Sequence, residues 1–472
     1  MVLNFYEESN IDNEDLPESW RSKNIQDEFE EFLQHNWEQR SAFYEDIAID
    51  SKQQFLGFTG HLGLRTKKYV GTVVFNGEQL NIFPKVFRRW TSDYKTDSLD
   101  KDHLMDNLIR WLDYCNKVWY RNISISTEFT DVKNLKELFI NLYLGYVRNA
   151  LERGLYYKYI DETKDISNIK GKINLKDYII NKIPNGQADK FRCTYSNFEF
   201  DNMVNRIIKH TCKLLFNITD SANSKKNIHN ILVKLNEVSD YPCKPSDCDK
   251  IRLSRLHGNY RIIVSMSKMF LLNKTSNYTI DMNESFCFLF PTDMLFEGFI
   301  GGFLQEIVEH KGGRAYLQKS DMKLVDSINI DGHEYEGAFT MRHDILVEYK
   351  DKLFILDTKY KMMTRFEGNP SETRNNIARE AHESDIYQVC SYAMKRNTSE
   401  VYLLYPQFRF EEVDGSYPVA NIPVKGGGIH IHFVRLPFIF EQDEQHTKEQ
   451  LKKVIEKILE IQDDNSSYNV KK

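Results

Sequence analysis

The sequence lacks several features that would assign it to a class at once. It contains no uninterrupted apolar stretch near the ~18 residues that a membrane-spanning helix needs. Its start, MVLNFYEESN, shows no basic segment followed by an apolar run, as a secretory signal would. It contains no G-x-x-x-x-G-K-[ST] motif, which excludes nucleotide hydrolysis by a P-loop. We therefore expect a cytoplasmic protein that does not hydrolyse nucleotides by that route.

Paired cysteines and an excess of positive charge are also missing. The seven cysteines are scattered, and only Cys243 and Cys248 lie close together. Their spacing and the lack of a second pair do not predict a zinc site, and we expect reduced thiols. The net charge is −6, from 63 Lys and Arg against 69 Asp and Glu. This balance argues against a protein that coats nucleic acid everywhere, but it is compatible with a locally basic groove.

The composition is that of a globular protein, with 41% hydrophobic and 28% charged residues in a chain of 472. A length of this order predicts about two to four domains. The Asn76-Gly77 dipeptide between apolar runs predicts an early β-hairpin. Helical spacing of apolar residues dominates residues 102–158 and 201–216. We predict a mixed α/β protein.

The segment MRHDILVEYKDKLFILDTKYK, Met341 to Lys361, indicates a β-hairpin that carries carboxylates in or beside its apolar strands. With a turn centred on Lys350-Asp351, Tyr349 faces Lys352. Counting back along both strands then brings Asp344 opposite Asp357. An odd-length loop would shift this register by one residue and separate the two acids.

Two carboxylates on opposed strand positions repel each other and must share a proton or bind a cation. Lys359 follows Asp357 by two residues, so strand alternation places both on the same face. Oxygen ligands suit a hard ion such as Mg²⁺. A solvated hairpin with no site is the alternative, but the apolar LFIL directly before Asp357 favours a buried strand that runs into a charged site.

This pattern, D…(D/E)-x-K at the end of an apolar strand, resembles the PD-(D/E)XK nuclease superfamily. The hairpin followed by DIYQVCSYA resembles, more specifically, the McrC-type endonuclease subunit of McrBC-like restriction systems. Further similar segments are LNIFPKVF, IKGKINL, FEFDNMVNRIIK and MLFEGFIGGFL, spread from about 80 to 405. One departure is His343, which stands where the family usually has proline before its first aspartate and is not a ligand there.

The resemblance implies a PD-(D/E)XK restriction-endonuclease-like domain behind an N-terminal β-rich and helical partner-binding region. It implies Mg²⁺-dependent cleavage of double-stranded DNA, and an McrB-type AAA+ GTPase ring as the partner that binds GTP. The expected units are an N-terminal region with the hairpin (1–100), a largely helical, partner-binding middle region (101–280), the nuclease domain (281–440), and a C-terminal helix and tail (441–472).

The resemblance also assigns two further candidate residues beside Asp344, Asp357 and Lys359. Gln388 of DIYQVCSYA matches the glutamine of the helix after the catalytic strands, and it lies off that helix's apolar face near Asp385 and Tyr392. Glu297 of MLFEGF is a carboxylate on an otherwise apolar helical face, which suggests an accessory metal ligand. Exposure to solvent is the alternative for both residues.

Several readings of the remaining sequence stay open at this stage. Cutting both strands would need a second copy of the chain. Seven basic residues near the hairpin are candidates for phosphate contact: Lys350, Lys352, Lys359, Lys361, Arg365, Arg374 and Arg379. His430 and His432 in GGGIHIHF favour a strand rather than a metal site. The competing functions are an inert activator of the GTPase and a standalone Mg²⁺ nuclease.

Overall fold

The structure is a computed structural model that describes most of the chain. The described residues are 1–38, 52–88, 103–104, 106–108, 110–111, 114–115, 135–154, 156–253, 257, 259–275, 286–331, 333–362, 383–408, 420–424, 428–440 and 444–460. Within these ranges the protein is a mixed α/β structure with several sheets. None of the helices in them is long and apolar enough to cross a membrane.

The strands of the described residues fall into five sheets and are numbered in chain order. They are β1 (Val2–Tyr6), β2 (Asn10–Ile11), β3 (Leu56–Phe58), β4 (Leu64–Thr66), β5 (Tyr69–Phe75), β6 (Glu78–Phe83), β7 (Lys158–Ile166), β8 (Lys172–Ile173), β9 (Phe191–Glu199), β10 (Phe286–Pro291), β11 (Arg314–Lys323), β12 (Ser327–Ile330), β13 (His333–Glu336), β14 (Thr340–Tyr349), β15 (Lys352–Thr358), β16 (Glu400–Pro406), β17 (Ala420–Val424) and β18 (Ile429–Leu436).

The longer helices lie between and after these strands. They are α1 (Lys23–Glu38), α2 (Leu135–Arg153), α3 (Met203–Ile218), α4 (Ala222–Lys234), α5 (Pro245–Asp249), α6 (Asn259–Thr275), α7 (Thr292–His310), α8 (Glu383–Arg396) and α9 (Glu444–Ile458).

The predicted N-terminal hairpin is confirmed as β5 and β6, which pair antiparallel from Phe75↔Glu78. Asn76 and Gly77 both have positive φ, 50° and 76°, as a two-residue type I′ turn requires. The sheet has the order β1-β6-β5-β10. Strand β10 lies beyond residue 280, yet it pairs with β5. The expected boundary at 280 therefore does not coincide with a change of sheet.

The middle region contains helices α2 to α6, as the spacing of its apolar residues predicts, but it is not helical throughout. Strands β7, β9 and β8 form a separate three-stranded sheet within it. A helical turn (Leu175–Asp177) and a π-helical segment (Tyr178–Lys182) connect β8 to β9. The polar break expected as a boundary, 275–286, falls almost entirely outside the described residues.

The candidate nuclease unit is a six-stranded mixed sheet of order β11-β14-β15-β16-β18-β17. Strands β11, β14 and β15 are antiparallel neighbours, and β16 adds parallel to β15. Ile345 and Val347 pack in one apolar cluster with α7 and α9, while Leu346 packs in another with α8. A Cβ on Gly301 of α7 would meet Leu317 of β11 at 3.0 Å, so this glycine permits close helix–sheet packing.

Candidate functional site

The β14–β15 hairpin has the register that the sequence predicts. Its five pairs run from Tyr349↔Lys352 to Ile345↔Leu356. The turn residues Lys350 and Asp351 have φ of 48° and 60°, which is the geometry of a two-residue type I′ turn. The even-length loop is thus confirmed, and it directs Asp344 and Asp357 to the same end of the hairpin.

Regular pairing stops one residue short of the two acids. The carboxylate of Asp344 instead accepts hydrogen bonds from the backbone N–H and the hydroxyl of Thr358, with Oδ2 at 2.9 Å from each donor. Asp357 is buried, with 1% of its surface exposed. Asp344 is thus held beside the end of β15 rather than in a continued ladder opposite Asp357.

Three carboxyl groups share this end of the sheet. Burial and the charge of Asp344 raise the pKa of Asp357 to about 7. Burial also raises the pKa of Asp344, against the Thr358 hydrogen bonds that lower it. Glu297 has its pKa raised to about 9 by burial and then by Asp344. Each carboxyl group therefore ionises less readily than it would in water.

Lys359 lies within this group, as the strand alternation predicts. Its Nζ is 2.6 Å from Asp357 Oδ2 and 3.6 Å from Asp385 Oδ1. Burial alone would lower the pKa of Lys359, but Asp357, Asp385 and Asp344 together raise it. The side chain is therefore held as an ammonium group beside the carboxylates.

Asp385 was not predicted as a site residue. It belongs to the first turn of α8, and it binds Lys361 at 2.7 Å as well as Lys359. The available signal was an acid at the start of the helix that follows two lysines at a strand end. Its effect is to fix both lysines near the carboxylates.

Glu297 and Gln388 occupy different positions relative to the three acids. Glu297 lies on α7, which begins at Thr292 as expected, and its helical neighbours Ile300 and Leu304 are fully buried. Gln388 is exposed, and its Nε2 donates to the Tyr392 hydroxyl at 2.8 Å. Glu297 is thus within electrostatic reach of Asp344, whereas Gln388 is linked to the site through Tyr392.

The donor set fits a hard divalent cation. All three acids supply oxygen ligands, and Mg²⁺ in proteins is usually held by one or two carboxylates with waters and substrate phosphates. No group of three His, Cys, Asp or Glu side chains in the described part of the chain is placed so that it could hold a metal ion. An ion bound by two of these carboxylates would take the rest of its ligands from water and substrate.

Two of the other basic candidates, Lys350 and Lys352, lie away from the site. Lys350 and Lys352 lie at the turn, the opposite end of the hairpin from Asp357, because an antiparallel pair places the turn there. Lys352 forms an ion pair with Glu460 at 2.6 Å. Arg365, Arg374 and Arg379 lie outside the described residues. The position of Lys350 and Lys352 at the turn does not support their expected contact with a phosphate at the site.

The prediction that GGGIHIHF forms a β-strand is confirmed. Ile429–Leu436 forms β18 between β16 and β17. His432 Nε2 lies 2.5 Å from Glu400 Oε2 of the neighbouring strand, and its ring stacks on Tyr402 at 4.6 Å.

A buried carboxylate joins the N-terminal unit to the elements that carry the site. Glu7 is fully buried; it accepts the backbone N–H of Lys85 and the hydroxyl of Thr292, both at 2.8 Å. Thr292 is the first residue of α7, and Tyr360, which follows Lys359, also faces Glu7. The Lys85 ammonium lies 5.1 Å from the centre of the Tyr360 ring. Glu7 therefore fixes both elements against the N-terminal sheet.

Glu7 gives a pH-dependent contribution to stability whose sign follows from its environment. Burial raises the pKa of Glu7 above the usual 4.5, although Lys85, Tyr360 and Thr292 act to lower it. The nearby Glu8 forms an ion pair with Lys85. At a pH between the pKa of Glu7 in the unfolded chain and its higher pKa in the folded chain, the folded state binds more protons than the unfolded state. The free energy of unfolding therefore falls as the pH rises through this window. Glu7→Gln removes this titration. We expect urea unfolding to show the variant gaining on the wild type from pH 4.5 upward; parallel curves would contradict this.

Comparison with known proteins finds a family and solved structures that the chain resembles. A family model described as McrBC 5-methylcytosine restriction system component matches residues 64–406. A search of curated proteins finds no match. One solved chain, from a half-complex of Thermococcus gammatolerans McrB AAA+ hexamers with bound McrC, has a TM-score of 0.61 at 15% identity and covers 97% of this chain and 100% of its own. Another, from the cryo-EM structure of the McrBC complex of that organism, has a TM-score of 0.45 at 19% identity, with coverage of 65% and 88%.

Proposed function

We propose, from the premise that the chain belongs to the McrBC 5-methylcytosine restriction system component family, that it is the Mg²⁺-dependent DNA endonuclease subunit of such a system. The family match spans residues 64–406 and includes the β14–β15 hairpin. The observation that carries the proposal is the convergence of Asp344, Asp357 and Lys359 at one end of that hairpin. A second copy of the chain would supply the second cut of double-stranded DNA.

The proposed roles follow from the position of each side chain. Asp344 and Asp357 would hold the ion, and Glu297, whose charge interacts with both, would assist. Mg²⁺ supplies Lewis acidity toward the phosphate and lowers the pKa of a bound water. Lys359, kept protonated by Asp357 and Asp385, would offset charge that grows on the phosphate oxygens and orient the attacking water. Thr358 fixes the orientation of Asp344 through its two hydrogen bonds.

The experiment that tests this function is reconstitution of cleavage. The chain is mixed with an McrB-type GTPase, GTP, double-stranded DNA and Mg²⁺, and linear products are measured. We expect cleavage that stops when the free ion is chelated with EDTA and resumes when Mg²⁺ is restored. Equal cleavage after thorough chelation would contradict the proposed function.

The middle region presents a surface suited to the GTPase partner. Leu175, Ile179 and Ile183 recur every four residues and are 62%, 61% and 50% exposed, with Ile180 at 57%. The opposite side of this segment packs inward, where Tyr178 stacks on Phe191 at 4.8 Å. Solvent-facing apolar clusters of this kind mark interaction sites. The structural neighbour is bound to AAA+ hexamers, and we assign this surface, residues 175, 179, 180 and 183, to an McrB-type ring.

Two observations favour an activator without nuclease activity. Asp357 is already bound by Lys359, and no described group of three ligands surrounds a common point. In that case the chain would stimulate GTP hydrolysis by the ring and leave DNA intact. Cleavage in the reconstituted system distinguishes the two functions. A standalone nuclease is distinguished by activity without the partner.

A further inference from the structure

Arg342 lies beside the candidate site but belongs to neither the carboxylate group nor the Lys359 pair. Along the start of β14, Met341 and His343 are buried while Arg342 and Asp344 are partly exposed. The His343 ring packs 4.4 Å from that of Tyr392 on α8. Arg342 and Asp344 therefore share the more open side of the strand.

Two contacts fix Arg342 in place. Its Nε donates to Oε1 of Gln318 on the neighbouring strand β11. Its backbone carbonyl accepts the Tyr392 hydroxyl at 2.8 Å, and Tyr392 in turn accepts from Gln388 at 2.8 Å. These two contacts restrict the position of the Arg342 side chain. Neither contact uses the two terminal nitrogens of its guanidinium group.

Gln318 adopts an uncommon backbone conformation to make its contact. Its φ is 52°, a left-handed value that few residues other than glycine adopt. It precedes a register shift in the pairing of β11 with β14 after Lys319. Strain of this kind persists where the surrounding structure enforces it and is concentrated at functional sites. The strained residue is the one that orients Arg342.

The cations near the site differ in what they bind. Lys359 is bound by Asp357 and Asp385, and Lys361 by Asp385. Within the described residues, the terminal nitrogens of Arg342 have no hydrogen-bond or ion-pair partner. Its charge nevertheless lowers the pKa of both Glu297 and Asp344 against the larger effect of burial. The guanidinium group is therefore close to the carboxylates without being paired to one.

We propose that Arg342 binds the non-bridging oxygens of the DNA phosphate that is cleaved at Asp344 and Asp357. The inference rests on the proposed nuclease function. A guanidinium group presents two parallel N–H donors that match two phosphate oxygens. Placed before the reaction begins, it stabilises charge that develops on those oxygens. Gln318 is the positioning residue that holds the group through Nε.

The first test measures single-turnover DNA cleavage by the complex with the partner ring. We expect Arg342→Ala to lower the rate about 10²–10³-fold. Arg342→Lys should recover part of it, because an ammonium keeps the charge but not the paired donors. Arg314→Ala is the matched control: Arg314 is exposed at the other end of the same sheet, where β11 begins. Wild-type cleavage by Arg342→Ala would overturn the proposal.

The second test separates phosphate contact from a purely local effect on the carboxylates. Binding of a short duplex to the full chain, with Ca²⁺ in place of Mg²⁺, is measured over a series of salt concentrations. Loss of one phosphate contact should reduce the slope of log K against log salt by about 0.9. If Arg342→Ala cleaves DNA more slowly but its binding has the same salt slope as the wild type, the proposal is overturned. A wild type that binds but never cleaves contradicts the nuclease function instead, and the slope still decides the role of Arg342.

Discussion

Replacement of Asp357 by asparagine is expected to abolish DNA cleavage, by at least about 10³-fold, while stimulation of the partner GTPase persists. A metal held by Asp344 and Asp357 would lose a carboxylate ligand, and charge at the phosphate would then be poorly stabilised. The fold should not suffer, because burial and Asp344 raise the pKa of Asp357 to about 7 and so disfavour its charge. Thermal unfolding at or above the wild-type midpoint, together with lost linear products, is the expected result.

The control for this variant is Asp351→Asn in the turn of the same hairpin. Asp351 is exposed and has a φ of 60°, which asparagine tolerates. Lys359→Ala should also lose cleavage, since no described cation replaces its contacts with Asp357. Cleavage at the wild-type rate by both Asp357→Asn and Lys359→Ala would defeat the site assignment.

Introduction of aspartate at Ile179 or Ile183 is expected to weaken binding to an McrB-type ring about 100-fold and to reduce GTPase stimulation accordingly. An isoleucine buried in an interface contributes about 1.5–3 kcal/mol, and each 1.4 kcal/mol is tenfold in affinity. Both side chains are at least half exposed in the free chain, so the folded structure should be retained. GTP hydrolysis titrated with the variant measures the effect.

Val233→Asp is the matched control for the ring-binding surface. Val233 is a single apolar residue on α4, also in the middle region, and is 57% exposed. It has a similar exposure but does not belong to the clustered surface. Equal stimulation by the wild type and both isoleucine variants would place the ring contact elsewhere.

The local pattern of the hairpin was enough to predict its register. The two turn residues fix which positions face each other, and the pairs from Tyr349↔Lys352 onward follow that count. The count did not reveal that pairing stops before Asp344. Thr358 competes for the Asp344 carboxylate, and a side-chain acceptor of this kind is not visible in a pattern of apolar residues.

Contacts between distant parts of the chain were beyond the sequence pattern. Strand β10 joins β5 across some two hundred residues, and Glu7 reaches Thr292. Neither pairing has a local signature. The exposed row Leu175, Ile179 and Ile183 has the spacing of a buried helical face, yet the structure shows it facing solvent. Spacing reveals that residues share a face but not what that face contacts.

In the candidate site, too, the residues within one hairpin could be predicted from the sequence, whereas contacts between distant segments could not. Asp344 and Asp357 were identified from the register of the hairpin and Lys359 from strand alternation, because all three belong to one hairpin. Glu297 and Gln388 rested on family resemblance, since each lies on a helix whose packing the sequence does not give. Asp385 and Arg342 became visible only from their contacts with Lys359 and Gln318.

The central claim is that a divalent ion allows the acids at the end of β14 and β15 to carry negative charge side by side. Calorimetric titration of Mn²⁺ into the full chain without DNA, for the wild type and for Asp344→Asn, tests it directly. We expect one saturable site in the wild type that is lost in the variant. Equal binding by both proteins, or no binding by either, would contradict the claim.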